Sequence, residues 1–154
     1  MKSEINFVDI LAYLEKCDSR TKIYVGCDSE RILSQGKFYA DYTSVVVVHV
    51  NGNNGCKIFS ETVRELDYDD QKKPYTRLMK EVYKVADLYQ KTLLAIGDLN
   101  IEVHLDINSS DQHFSNNVVS QAIGYIKGVC NVEPMIKPMA WAATCAADRA
   151  RSIA

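Results

Sequence analysis

"KIYVGCDSE", Lys22 to Glu30, is the stretch on which the fold turns. Ile23, Tyr24, Val25 and Cys27 make an apolar run of the kind a buried strand shows. The run closes on Asp28, Ser29 and Glu30. A carboxylate beside a core costs several kcal/mol unless something pairs with it or binds it. Asp28, at the end of this predicted strand, therefore asks for a partner.

Outward from that strand, helix and strand patterns alternate. Upstream, "NFVDILAYLEKC" sets Phe7, Ile10, Leu11 and Leu14 at i, i+3, i+4 and i+7, a short amphipathic helix. Downstream, "GKFYADYTSVVVVHV" is rich in β-branched residues and reads as a long second strand. "NGNNG" supplies hairpin signals, and "CKIFSETVREL" alternates as a half-exposed third strand does. After the polar "DYDDQKKP", Pro74 suits the start of the longest helix, "YTRLMKEVYKVADLYQKTLLAI". "NIEVHLDIN" is a fourth strand. "FSNNVVSQAIGYIKGVC" is a helix with Ser115 as its N-cap. "VEPMI" is a short fifth strand, and "MAWAATCAADRARSIA" a small-residue helix.

The order α-β-β-β-α-β-α-β-α predicts an α/β fold. It holds a five-stranded mixed sheet, a three-strand antiparallel meander plus two parallel strands, flanked by helices. The 154 residues suit a single domain over 1–154.

Composition narrows the function. Lys and Arg number 18 against 20 Asp and Glu, a net charge of −2, which excludes nucleic-acid binding by bulk charge but not by a local basic patch. Five cysteines without a C-x-x-C spacing argue against a disulfide framework or a zinc site and for thiols in a reducing compartment. No stretch reads as a signal peptide or membrane span. The expectation is a soluble, cytoplasmic protein with no membrane partner.

Further carboxylates join Asp28. On the fourth strand Ile101, Val103, Leu105 and Ile107 share one face, and Glu102, His104 and Asp106 the other. If the first and fourth strands are parallel neighbours, Asp28 and Asp106 end about 5 Å apart. Two carboxylates that close disfavour joint ionisation, and a divalent cation between them removes the conflict. On the long helix, Leu78, Val82, Val85 and Tyr89 form the apolar stripe, and Glu81 falls inside the apolar arc. On the last helix Trp141, Thr144, Cys145 and Asp148 share a stripe, which turns Asp148 inward. Each carboxylate alone has a plain explanation: a turn for Asp28, pairing with Arg77 or Lys84 for Glu81, and with Arg151 for Asp148. Together they match the oxygen ligands that hard divalent ions take.

The order of elements, with "YVGCDSE", "RLMKEVYKVA", "VHLDINSSD" and "AWAATCAADRA", resembles the ribonuclease H-like superfamily. More narrowly, "GCDS", "RLMKEV", "HLDIN" and "KPMAWAATCAAD" resemble the small bacterial and phage family called YkuK-like. The likeness spans nearly the whole chain. It implies that Asp28, Glu81, Asp106 and Asp148 are catalytic and hold two Mg²⁺ or Mn²⁺ ions. Thr144 and Cys145 depart from the small serine-like residues expected there.

The resemblance points to a two-metal phosphodiesterase acting on RNA, DNA or a hybrid. Ser29, Asn108, His113, Lys80 and Lys84 are the candidate substrate contacts. His113 can pass a proton to the leaving group. The lysines stand on a basic helix face with Lys73, Arg77 and Lys91, a pattern that more often marks a solvated face. Two other readings stay open: hydrolysis of small phosphorylated molecules, and a ribonuclease H-like binding protein without turnover.

Overall fold

The computed structural model describes residues 4–50, 55–68, 75–97, 100–108, 116–137, 139–140 and 146–153, with the side chains of 108, 116, 117, 148, 152 and 153 left aside. The elements are α1 Phe7–Leu14, β1 Lys22–Ser34, β2 Lys37–His49, β3 Cys56–Leu66, α2 Tyr75–Ile96, β4 Ile101–Asn108, α3 Asn116–Cys130, β5 Met135–Lys137 and α4 Ala147–Ile153. Pro74, Ser115, His113, residues 51–54 of "NGNNG", and Trp141, Thr144 and Cys145 lie outside the described residues.

The strands form one sheet in the order β3-β2-β1-β4-β5. β1, β2 and β3 make the antiparallel meander, while β4 and β5 run parallel to β1. This is the expected mixed sheet. Local chemistry sets its corners. Asn6 caps α1 by accepting from the backbone N–H groups of Val8 and Asp9. Gln35 and Gly36, both at positive φ, turn β1 into β2, as a two-residue hairpin requires.

The sheet buries both faces. On one, Ile23, Val25 and Cys27 of β1, Val46 and Val48 of β2, and Ile101, Val103, Leu105 and Ile107 of β4 pack under α2 and α3 in one continuous core. On the other, Tyr24, Val45 and Val47 meet Ala146 and Ala147 at the start of α4. The alanines let that helix sit close to the strands. α1 packs through Ile10, Phe7 and Leu14, whereas Leu11, expected on the apolar stripe, is 41% exposed. Eight residues give α1 room to bury only a narrow stripe.

One boundary differs in a way that matters. β1 does not end at Asp28; it runs on to Ser34. Its pairing with β4 covers only Ile23–Gly26 against Ile101–His104, while its pairing with β2 continues to Ser34↔Lys37. The apolar run stops at Asp28 because one neighbouring strand leaves there. The strand itself continues on its other neighbour.

Candidate active site

β1 and β4 part just beyond Gly26 and His104. Carried on by two residues, the same register sets Asp28 beside Asp106, both on the face that α4 covers. The two carboxyls act on each other, and two that close disfavour joint ionisation. Burial, followed by the Asp106 bond and charge, pushes Asp28 up to about 7, against the pull of Arg151. A crevice between diverging strands at the carboxyl end of a parallel pair is where open α/β sheets place ligands.

Ser29, the next residue of β1, points through the opposite face. Its Oγ donates to Glu81 Oε1 on α2 across 2.5 Å. Glu81 is buried among Leu78, Val82, Val85 and Leu88, as its place in the apolar arc predicts. Burial holds its carboxyl well above the ordinary range; Ser29 opposes this, and the charges of Asp28 and Asp106 add to it. Glu81 thus shares an electrostatic field with the aspartates while approaching from the other side of the sheet. Asp148 stands on α4, over the Asp28 face, and Asn108 closes β4. Among the described residues, no three His, Cys, Asp or Glu side chains are placed to hold a metal ion together.

Two cations stand at the pair: Lys137, which the sequence did not mark, and Arg151, which it offered as a partner for Asp148 and which reaches Asp28. Lys137, the last residue of β5, puts Nζ 2.5 Å from Asp106 Oδ1. Arg151 of α4 puts Nη2 3.1 Å from Asp28 Oδ2, with its Nε 3.8 Å from Glu30 Oε2. Arg151 carried a faint signal, three residues past Asp148. Lys137 carried none, because its target depends on where β5 joins the sheet.

The basic face of α2 is tied to carboxylates. Lys80 and Lys84 share Glu65 of β3 at 3.4 and 2.7 Å. Arg77 and Arg31 share Asp67 at 3.7 and 3.0 Å. Lys91 pairs with Asp87 at helical spacing. His104 is a core histidine: it is buried, its ring lies 4.7 Å from Tyr24, and its Nε2 is 3.3 Å from Glu102. Burial lowers its pKa. Tyr24 and Tyr42 are buried, so neither ring offers a face on which a base could stack. Cys27 is buried too, and burial drives its thiol strongly upward, so it is inert.

Paired acidic strands at a β1/β4 fork, covered by helices on both faces, define a class of α/β proteins with an acidic site. A family model described as ribonuclease H-like matches residues 6–151, and the chain belongs to that family. Among curated proteins and solved structures nothing matches the chain. No described helix is long and apolar enough to cross a membrane.

Proposed function

We propose that this protein is a divalent-metal-dependent phosphodiesterase that cleaves nucleic acid, working as a single domain over residues 1–154. The observation that carries the reading is the Asp28–Asp106 pair: two carboxylates pressed together at the strand fork of a ribonuclease H-like chain. The donor set fits a hard cation, since both side chains offer oxygen only and their mutual repulsion is what such a cation relieves. Asp28 and Asp106 would hold Mg²⁺ or Mn²⁺, two ions in all, with Asp148 and Glu81 completing the set. When bound, such ions lower the pKa of water and stabilise a leaving oxygen.

The chain's own residues prepare the site. Ser29 fixes the rotamer of Glu81 through its hydrogen bond. Lys80 and Lys84 share one carboxylate between them, which leaves one positive charge over on that flank for a phosphate. Asn108 and His113 would meet the substrate from the end of β4 and the segment after it, His113 donating a proton to the leaving group. The free thiols of Cys17, Cys27, Cys56 and Cys130 support a reducing, cytoplasmic setting.

The test is cleavage of single-stranded RNA, single-stranded DNA and a hybrid with Mg²⁺ or Mn²⁺, by wild type and Asp28→Asn. Cleavage by wild type alone is expected. Equal cleavage by the variant would sink the assignment. The ion pairs along α2 and the net charge of −2 favour one other substrate class, small phosphorylated molecules. Turnover that ignores polymer length and salt would select it.

A further inference from the structure

The chain's last strand and last helix each send one cation to the aspartate pair. Lys137 Nζ lies 2.5 Å from Asp106 and Arg151 Nη2 lies 3.1 Å from Asp28. Each of the two neighbouring carboxylates thus has a basic side chain at ion-pair distance. A metal ion reaching for either aspartate has to compete with a charge already there.

We propose that Lys137 and Arg151 are resident counter-ions of the pair, displaced when a divalent cation binds, and that these two residues set the cation affinity of the site. The proposal rests on the reading of Asp28 and Asp106 as metal ligands.

Both side chains are built to leave. Lys137 ends its strand, and its side chain is 39% exposed. A lysine stem is flexible and its ammonium strongly hydrated, so withdrawal to water costs little. Arg151 has a second acceptor waiting. Glu30 lies two residues beyond Asp28 on the same face of β1, is 59% exposed, and already sits 3.8 Å from Arg151 Nε. The guanidinium already lies between the two carboxylates, so Arg151 gains a full partner in Glu30 by a shift of about 1 Å, from 3.8 Å to hydrogen-bond distance. A purely structural ion pair, tying β5 or α4 to the sheet, needs no such alternative acceptor.

Calorimetric titration of the full chain with Mn²⁺ alone separates the two roles. The forms compared are wild type, Lys137→Met, Arg151→Met and the charge-keeping Lys137→Arg, each checked for folding by thermal melting. Methionine keeps the apolar stem and removes the charge. Each methionine variant is expected to bind Mn²⁺ about tenfold more tightly than wild type, as loss of a like charge at ion-pair distance allows. Lys137→Arg should stay within about twofold of wild type, since its charge is unchanged. Arg151→Met, on a separate element, reads the same quantity if Lys137→Met does not fold. Wild type that binds Mn²⁺ while a folded methionine variant binds no more tightly overturns the counter-ion role and leaves the metal site standing. No Mn²⁺ binding by any form overturns both. Binding by the methionine variants but not by wild type supports both.

Discussion

Asp28 and Asp106 stand side by side on two parallel strands, two residues past the last paired positions of those strands, and each raises the cost of ionising the other. The contact makes the protein's stability depend on pH. Asp28 titrates near its ordinary 3.8 when unfolded and at about 7 when folded, chiefly through burial and then through Asp106. Between those values the folded chain holds the extra proton, so stability is fully present below about pH 4 and falls as pH rises toward 7. A shift of this size is worth at most about 4 kcal/mol, and less when the proton is shared with Asp106. Arg151, Lys137 and Glu30 are the other charges around the pair. Asp28→Asn should be as stable as wild type at pH 4 and more stable at pH 8. Urea titrations of both forms at the two pH values check this.

Glu81 gives a second pH effect of the same sign. Its carboxyl is raised by burial, so it too favours the protonated fold, and stability drops as pH climbs through its folded value. Glu81→Gln keeps the shape and the bond to Ser29 without the buried charge. It should match wild type at low pH and exceed it increasingly as pH rises, while losing metal-dependent cleavage. Ser29→Ala removes the one hydrogen bond opposing the shift and should cost about 1–2 kcal/mol. Thermal melts across pH 5 to 9 distinguish the two variants, because only Glu81→Gln flattens the profile.

The sequence spoke most clearly where periodicity meets burial. Glu81 was legible because a 22-residue helix fixes the direction of every side chain, and a glutamate within the apolar arc has nowhere else to point. The alternation of β4 placed Asp106 and His104 on one face for the same reason. The end of β1 was misread because hydrophobicity reports burial, and burial stops at Asp28 while hydrogen bonding to β2 does not. The partners of the charges were out of reach. Lys137 finds Asp106 only once the three-residue β5 has docked on β4, and Arg77, Lys80 and Lys84 find Asp67 and Glu65 only once β3 has paired with β2 at the edge of the sheet. Ion pairs between distant segments follow topology and leave no local spacing to read.

Asp67 joins β1, β2 and α2 at the far corner of the sheet. Its carboxylate is 3% exposed and takes Arg31 at 3.0 Å and Arg77 at 3.7 Å, and its backbone N–H donates to Phe38. The Arg31 guanidinium also stacks over the Phe38 ring, 3.8 Å from its centroid. Removing the carboxylate leaves two guanidinium groups repelling one another at a largely dry site. Asp67→Ala should cost about 3–5 kcal/mol, the range for breaking one side of a buried ion pair. Urea unfolding would measure it. A loss under about 1 kcal/mol would mean that water already screens the corner.

Lys80 and Lys84 decide what the α2 flank does. Both are partly exposed and both lean on Glu65, whose carboxyl lies below its usual range chiefly because of the Lys84 bond. At such sites an ion pair is worth at most about 1 kcal/mol, so replacing both lysines by alanine should leave the melting temperature nearly unchanged. Binding should respond much more. For a catalytically dead Asp28→Asn background titrated with single-stranded RNA, each lost phosphate contact lowers the slope of log affinity against log salt by about 0.7. The Lys80→Ala/Lys84→Ala pair should therefore flatten the slope by about 1.4 and weaken binding at low salt. Glu65→Gln should act in the opposite direction, because it releases two cations to the ligand. A double alanine variant with the wild-type slope would assign both lysines to Glu65 alone and turn the substrate reading toward small phosphorylated molecules.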